Sequence, residues 1–99
     1  MYKIVVEPSA AKDIAMACDY YATLPIDTDK ISNRFLEDIE ETFKTLSINP
    51  NYQIRVKKFR AFQLKNFPYL VFFTVHKKEK TVKVIALFNT YQEPKKYPK

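Results

Sequence analysis

Glycine is missing altogether from this chain of 99 residues, which also holds a single cysteine and a single histidine. The P-loop and the dinucleotide-binding fingerprint both need glycine where the backbone meets a phosphate, so its absence excludes both. One cysteine, Cys18, and one histidine, His76, do not suffice for a Cys/His zinc site within one chain. We therefore expect no cofactor and no metal.

Disulfides and long apolar runs are missing as well. Cys18 cannot form a disulfide within the chain, which is typical of a reducing compartment. No apolar run approaches the roughly 18 residues of a membrane-spanning helix. The start, MYKIVVEPSA, lacks the apolar stretch and the cleavage site of a signal peptide. These absences predict a cytoplasmic protein with no membrane contact.

The composition that remains is that of a folded protein. Apolar residues make up 46% of the chain and aromatic residues 15%, which excludes intrinsic disorder. A chain of this size buries roughly 65% of its unfolded surface, enough for one modest core. We therefore expect a single domain over residues 1–99.

Charge divides the chain into two halves. Residues 1–51 hold five lysines and arginines against nine acidic residues, a net charge of −4. Residues 52–99 hold twelve against two, a net charge of +10. A basic half of this kind indicates a polyanion or an acidic protein as partner, although lysines on a solvated edge strand explain part of it.

Two helical patterns follow a first strand at residues 2–7. Ser9 is the predicted N-cap of a helix that runs from Ala10 to about Ala22. A second helix is predicted from Thr28 or Asp29 to Asn49-Pro50, with an apolar stripe of period 3.6. That stripe consists of Ile31, Phe35, Ile39, Phe43 and Leu46. The acidic residues mostly opposite it are predicted to form a solvated face: Glu37, Asp38, Glu40 and Glu41.

The second half of the chain reads as strands. Residues 53–64 form either one bent strand or two short ones, and residues 69–75 form a buried central strand. Residues 81–89 pair with it as an antiparallel hairpin through the charged turn 77–80. Alternation places Val82, Val84, Ala86 and Phe88 on one face of the last strand, and Ile85 and Leu87 on the other. Residues 90–99 are predicted to be an extended C-terminal arm.

The resulting order, β-α-α-β-β-β, predicts an α+β fold. A helical hairpin covers one face of an antiparallel sheet, and the first strand joins that sheet by a crossover.

This order and several motifs resemble the RelE/ParE superfamily of bacterial toxins. Residues 9–14, SAAKDI, are similar to the start of that family's first helix. Arg60, Leu64 and the run 67–75, FPYLVFFTV, resemble a stretch common in the ParE-like branch. The closing strand 82–88, VKVIALF, with Pro94 downstream, is similar as well.

The resemblance implies a toxin of a type II toxin–antitoxin module, held in a hetero-oligomer by a cognate antitoxin that is expected to be acidic. Two mechanisms occur on this fold, and the fold alone does not choose between them. RelE-like members cut mRNA on the ribosome with arginine, lysine and tyrosine side chains. ParE-like members instead poison DNA gyrase and need no catalytic group.

The candidate site residues come from the basic half. For a ribonuclease, the resemblance points to Lys58, Arg60 and Tyr91 as catalytic residues. The sequence departs from the ribonuclease pattern, because Leu70 stands where relatives carry arginine and Asn89 to Gln92 stand where they carry a basic residue. Binding of the target or the antitoxin is assigned to a further basic set: Arg55, Lys57, Lys65, His76, Lys95 and Lys96.

Three readings of function therefore remain open. The first is a growth-inhibiting toxin, with the ribosome or gyrase as target. The second is a degenerate, non-toxic binding partner of an antitoxin. The third is a small basic nucleic-acid-binding domain.

Overall fold

The computed structural model describes residues 1–23, 28–52, 54–56 and 58–90, and of residues 28, 29 and 54–56 it describes the backbone alone. The elements in chain order are β1 Lys3–Val6, α1 Pro8–Ala22, α2 Thr28–Ile48, β2 Ile54–Val56, β3 Phe59–Gln63, β4 Tyr69–His76 and β5 Thr81–Asn89. The predicted α+β fold and both helices are confirmed. Across the described residues, neither helix is long and apolar enough to cross a membrane. The predicted arm lies, from residue 91 onward, outside the described residues.

The five strands form one sheet in the order β1-β5-β4-β3-β2. The pairs from β2 to β5 are antiparallel, as expected, but β1 lies parallel to β5, so the sheet is mixed. The reason is that residues 54–63 form two strands rather than one. If each element reverses the direction of the one before it, six reversals separate β1 from β5, and an even number leaves them parallel.

An aromatic cluster joins both helices to the sheet. The ring of Phe35 in α2 lies 5.4 Å from that of Tyr21 in α1, 5.3 Å from Phe67 and 5.6 Å from Tyr69, measured between ring centres. Phe35 is fully buried. The Phe-Pro-Tyr corner that carries much of the family resemblance is therefore a packing device, because it places two aromatic rings under the helices.

The two faces of the sheet carry separate apolar clusters. Tyr69, Val71 and Phe73 of β4 pack towards the helices, whereas Leu70 and Phe72 pack on the opposite face, which we call the open face. The phenylalanines of the sheet are divided in the same way: Phe62 and Phe73 pack towards the helices, and Phe72 and Phe88 pack on the open face. Both faces of β4 are thus buried, as its continuous apolar sequence predicted.

A β-bulge changes the facing of β5. Phe72 pairs with Ala86 and Phe73 pairs with Val84, so Ile85 is one extra residue in β5. Val84 packs towards the helices, but Ala86 packs on the open face. The predicted alternation is therefore right up to Ile85 and wrong from Ala86 onward, because a one-residue bulge exchanges the two faces of the strand.

The start of α1 forms hydrogen bonds to β5 just beyond the residues that pair with β1. The prediction of Ser9 as the N-cap is wrong: the N-cap is Glu7, and α1 begins at Pro8, whose fixed φ suits the first helical position. The Ser9 hydroxyl instead donates to the Ile85 carbonyl at 2.8 Å. An Asp13 carboxylate oxygen accepts the Leu87 N–H at 3.1 Å. Both bonds tie α1 to the bulge.

The acidic face of α2 is interrupted by Asp38. Glu37, Glu40 and Glu41 are exposed as predicted, but Asp38 is 3% exposed. Its carboxylate accepts the backbone N–H of Asn66 at 2.8 Å, which attaches α2 to the turn between β3 and β4. The prediction for Asp38 is wrong because its partner lies 28 positions away along the chain.

The turn between β4 and β5 is made without glycine. Lys80 has a positive φ of 48°, a region that residues with a side chain adopt uncommonly. Its backbone carbonyl accepts the N–H of Lys3 at 2.8 Å, so the turn also holds the start of β1.

We expect Phe35→Ala to lower the free energy of unfolding by about 3–5 kcal/mol, because it opens a cavity at the junction of both helices and the sheet. Leu36→Ala is the matched control, since Leu36 is 40% exposed and its truncation should cost less than about 1 kcal/mol. Urea denaturation followed by circular dichroism measures both. Equal losses in the two variants would contradict the role of the cluster.

Burial and the neighbouring Tyr69 raise the pKa of Tyr21 well above its usual value of about 10. The folded protein thus holds this proton more tightly than the unfolded chain, so the stabilisation is present below about pH 10 and is lost above it. In Tyr21→Phe the free energy of unfolding should fall less between about pH 9 and pH 11 than in the wild type. A wild-type slope in Tyr21→Phe would disprove the assignment.

Candidate functional site

A groove of about 470 Å³ lies where β3, β4 and β5 run side by side, and we call it the basic groove. Its described lining consists of Lys58, Phe59, Arg60, Thr74, Val75, His76, Lys83 and Ile85. None of these residues is acidic. Four of them carry nitrogen-bearing side chains, so the groove attracts anionic groups.

Strand pairing explains why these residues meet. Thr74 and His76 follow Leu70 and Phe72 at alternate positions of β4, so they continue the open face towards the turn. Lys83 lies directly opposite Thr74 in the pairing of β4 with β5. The bulged residue, Ile85, adds an apolar side chain to the lining.

His76 is fixed within the groove by a hydrogen bond. Its Nε2 atom lies 2.9 Å from the Thr74 hydroxyl, and both residues are half-buried. This bond orients the imidazole and leaves Nδ1 as the second ring nitrogen for a ligand.

Lys58 and Phe59 combine a charge with an apolar surface. The Lys58 ammonium lies 5.9 Å from the centre of the Phe59 ring, while the lysine as a whole is exposed. Phe59 is buried and belongs to the open-face cluster. The basic groove therefore has cations at its rim above an apolar floor, an arrangement that suits a ligand with acidic and apolar groups together.

Arg60 has a structural partner. Its guanidinium donates a hydrogen bond to the carbonyl oxygen of Tyr52, in the segment between α2 and β2. The sequence suggested a catalytic role for Arg60, and the partner that the structure shows is this carbonyl. Arg60 lines the basic groove while it anchors the connection that precedes the sheet.

The structure brings together three of the residues that the sequence singled out: Lys58, Arg60 and His76. Lys65 lies elsewhere, in a smaller pocket against Asp38 and Glu41 of α2. The side chain of Arg55 and the whole of Lys57, Tyr91, Lys95 and Lys96 lie outside the described residues. The roles of all these residues stay predictions.

Lys83 and Thr74 were missed by the sequence analysis. The signal was available for Lys83, because it stands between Val82 and Val84, two residues that face the helices. A polar residue at that alternate position lies on the open face. Thr74 needed the strand register, since its partner Lys83 belongs to the neighbouring strand.

Cys18 and metal sites contribute nothing to this groove. Burial, with a smaller effect of Asp19, raises the pKa of the Cys18 thiol, which disfavours the reactive thiolate. Within the described part of the chain, no three His, Cys, Asp or Glu side chains come together as metal ligands.

Comparison with known families gives one match across nearly the whole chain. A family model described as the ParE toxin of the type II toxin–antitoxin system, parDE, matches residues 4–94. No curated protein matches the chain at a significant level.

Several solved structures share the fold. A chain of a chromosomal ParDE toxin–antitoxin system from P. aeruginosa superposes with a TM-score of 0.75 at 24% identity, over 90% of this chain and 96% of that one. A chain of the intact E. coli RelBE toxin–antitoxin complex gives a TM-score of 0.60 at 12% identity, over 93% and 100% of the two chains. A metal-bound toxin from Helicobacter pylori gives 0.55 at 17% identity, over 90% and 94%. At these identities the likeness concerns the fold.

We expect Arg60→Ala to lower the free energy of unfolding by about 1–3 kcal/mol, because the Tyr52 carbonyl loses a charged donor. Lys58→Ala, at an exposed residue of the same groove, should change it by less than about 0.5 kcal/mol. Chemical denaturation measures both. An unchanged stability in Arg60→Ala would show that the hydrogen bond contributes nothing and would free Arg60 for a role in binding.

Proposed function

Because the chain belongs to the family of ParE toxins of type II toxin–antitoxin systems, we propose that it inhibits growth by binding DNA gyrase through the basic groove. The observation that carries the proposal is the lining of that groove. Lys58, His76 and Lys83 surround apolar side chains, and such a surface binds a partner without any need for a reacting group. Inhibition then follows from occupancy of the target.

Two features of the sheet favour binding over cleavage. Leu70, which stands where ribonuclease relatives carry an arginine, is 3% exposed and packs with Phe72 and Ala86. Arg60 donates to the Tyr52 carbonyl, which occupies part of its guanidinium. Cleavage of RNA needs several cations around one phosphate, and these two positions supply fewer of them than the ribonuclease pattern requires.

The proposed neutralising partner is an acidic antitoxin. The half of the chain that builds β2 to β5 carries the net charge of +10, and the groove lies within it. An acidic segment bound in the groove would form ion pairs with Lys58 and Lys83 and would block binding of the target there. The proposed resting form is therefore a toxin–antitoxin hetero-oligomer.

A second candidate function is ribosome-dependent cleavage of mRNA. The specific observation in its favour is that His76 lies in the same groove as Lys58 and Lys83. An imidazole moves protons near neutral pH, and neighbouring cations stabilise the charge that develops on a phosphate. Tyr91, the other proton-moving group suggested by the sequence, remains a candidate for this role.

Induced expression of the chain in bacteria separates the two functions. Double-strand breaks in the chromosome with intact messages, and inhibition of purified gyrase in a supercoiling assay, are the expected results. Cuts within codons of translated messages would instead establish the ribonuclease. Unimpaired growth in cells that contain abundant folded protein would instead favour the alternative that this chain is a degenerate, non-toxic protein that only binds an antitoxin.

Reversal of two groove charges should abolish inhibition. In Lys58→Glu/Lys83→Glu, the concentration needed to inhibit gyrase should rise by about tenfold or more, because the rim then repels an anionic partner surface. Lys78→Glu is the matched control, since Lys78 is an exposed residue of the turn and does not line the groove. Inhibition by the double variant at the wild-type concentration would exclude the basic groove as the target-binding site.

A further inference from the structure

Helix α1 is apolar on both of its faces. Its inner face supplies core residues, among them Ala10, Ala17 and Tyr21. Its outer face exposes large apolar side chains as well: Met16 is 61% exposed and Tyr20 is 58% exposed. A helix that is apolar all round is normally buried, so this outer face is suited to a partner.

The outer face of α1 is also nearly free of charge. Its exposed residues between positions 11 and 20 are Ala11, Lys12, Ala15, Met16, Asp19 and Tyr20. They include one positive and one negative charge, whereas the exposed residues of α2 are mostly charged, as at Arg34, Glu40 and Lys44. The contrast identifies the outer face of α1 as the exceptional helix surface of the molecule.

We propose that a second copy of this chain packs on the outer face of α1, with the two α1 helices antiparallel about a twofold axis. If the axis passes between Ala15 and Met16, each exposed residue of one copy lies opposite an exposed residue of the other. Lys12 then faces Asp19 of the second copy. Ala15 faces Met16 of the second copy.

The chemistry of these opposed positions is complementary. Ala11 lies opposite Tyr20 of the second copy, so small residues meet large ones at both ends and at the centre. The ion pair between Lys12 and Asp19 occurs twice because the interface is isologous. A face that matches itself in size and in charge is the pattern expected for a homodimer.

Charge argues for a second copy over the acidic antitoxin as the occupant. The outer face of α1 has no net charge, whereas an acidic segment is attracted to the basic groove. The basic groove is built by β3 to β5, and its lining includes no residue of either helix. A dimer through α1 therefore leaves the groove available to the target or the antitoxin.

The expected dimer is weak and reversible. Fifteen helical residues extend for about 22 Å, and two such helices bury less than the roughly 1,200–2,000 Å² of a standard interface. A groove of about 350 Å³ between Met16, Tyr20 and the end of β5 enlarges the surface. We expect a dissociation constant on the order of micromolar.

Charge reversal at Lys12 and Asp19 tests the proposal by sedimentation of the purified full-length chain over a range of concentrations. The wild type should shift from its monomer mass of 11.7 kDa towards twice that mass. Lys12→Asp alone and Asp19→Lys alone place like charges opposite each other, and each should weaken the dimer by about tenfold. The double reversal, Lys12→Asp/Asp19→Lys, restores opposite charges and should restore dimerisation.

Glu40→Lys, at an exposed residue of α2, is the matched control and should dimerise like the wild type. Circular dichroism verifies that every variant is folded. A wild type that remains monomeric throughout, or a folded double reversal as monomeric as the single ones, overturns the proposal. So does a result in which the reversals weaken antitoxin binding but leave the sedimentation of the free chain unchanged.

Discussion

The structure depends on how the backbone groups along the outer edge of β5 obtain hydrogen-bond partners. β1 pairs with the first four residues of this nine-residue strand and then ends, so that within the described residues the β1–β5 ladder stops at Val84. Backbone N–H and C=O groups of β5 without hydrogen-bond partners would lower the stability of the fold. The first turns of α1 supply two such partners beyond the end of β1. At the bulge, the Ser9 hydroxyl donates to the Ile85 carbonyl and the Asp13 carboxylate accepts the Leu87 N–H, as backbone groups of a neighbouring strand would. These two bonds join α1 to β5, in addition to the packing of α1 side chains in the core between the helices and the sheet.

The bulge in turn determines which residues of β5 face the helices and which face the basic groove and the open-face cluster. Before Ile85, valines of β5 pack under the helices and Lys83 faces the open side; after it, Ala86 and Phe88 support the open-face cluster. The cations of the basic groove therefore lie at the turn-facing end of the open face, next to an apolar cluster that gives them a rigid base. The motifs that carry the family resemblance contribute to both faces of the sheet. Leu64 and Tyr69 are core residues, so the resemblance reports the packing of the fold.

The sequence predicts the helices and the central strand well because each has an unambiguous period. In α2 the apolar stripe through Phe35, Ile39 and Leu46 is buried as its spacing indicates. The failures share one cause, which is dependence on a distant partner. Asp38 is buried because of Asn66, 28 positions along the chain. The contact of Arg60 with the Tyr52 carbonyl is equally invisible in the sequence, whereas the functional role of Arg60 stays a prediction. The bulge could not be predicted from the sequence either. The apolar and polar residues of β5 give no sign that Ile85 is an extra residue in the pairing with β4.

A chain without glycine also has a different unfolded state. Every residue carries a side chain that restricts the backbone, so the unfolded ensemble explores less conformational space and less entropy is lost on folding. The lack of glycine has a cost in the folded state at Lys80, which has a φ of 48°. This left-handed conformation costs a residue with a Cβ about 1 kcal/mol. The local strain is small beside the entropic gain at the roughly seven positions where a chain of this length would on average carry glycine, at about 0.4–1 kcal/mol each. For so small a core, a narrow unfolded ensemble is itself a source of stability.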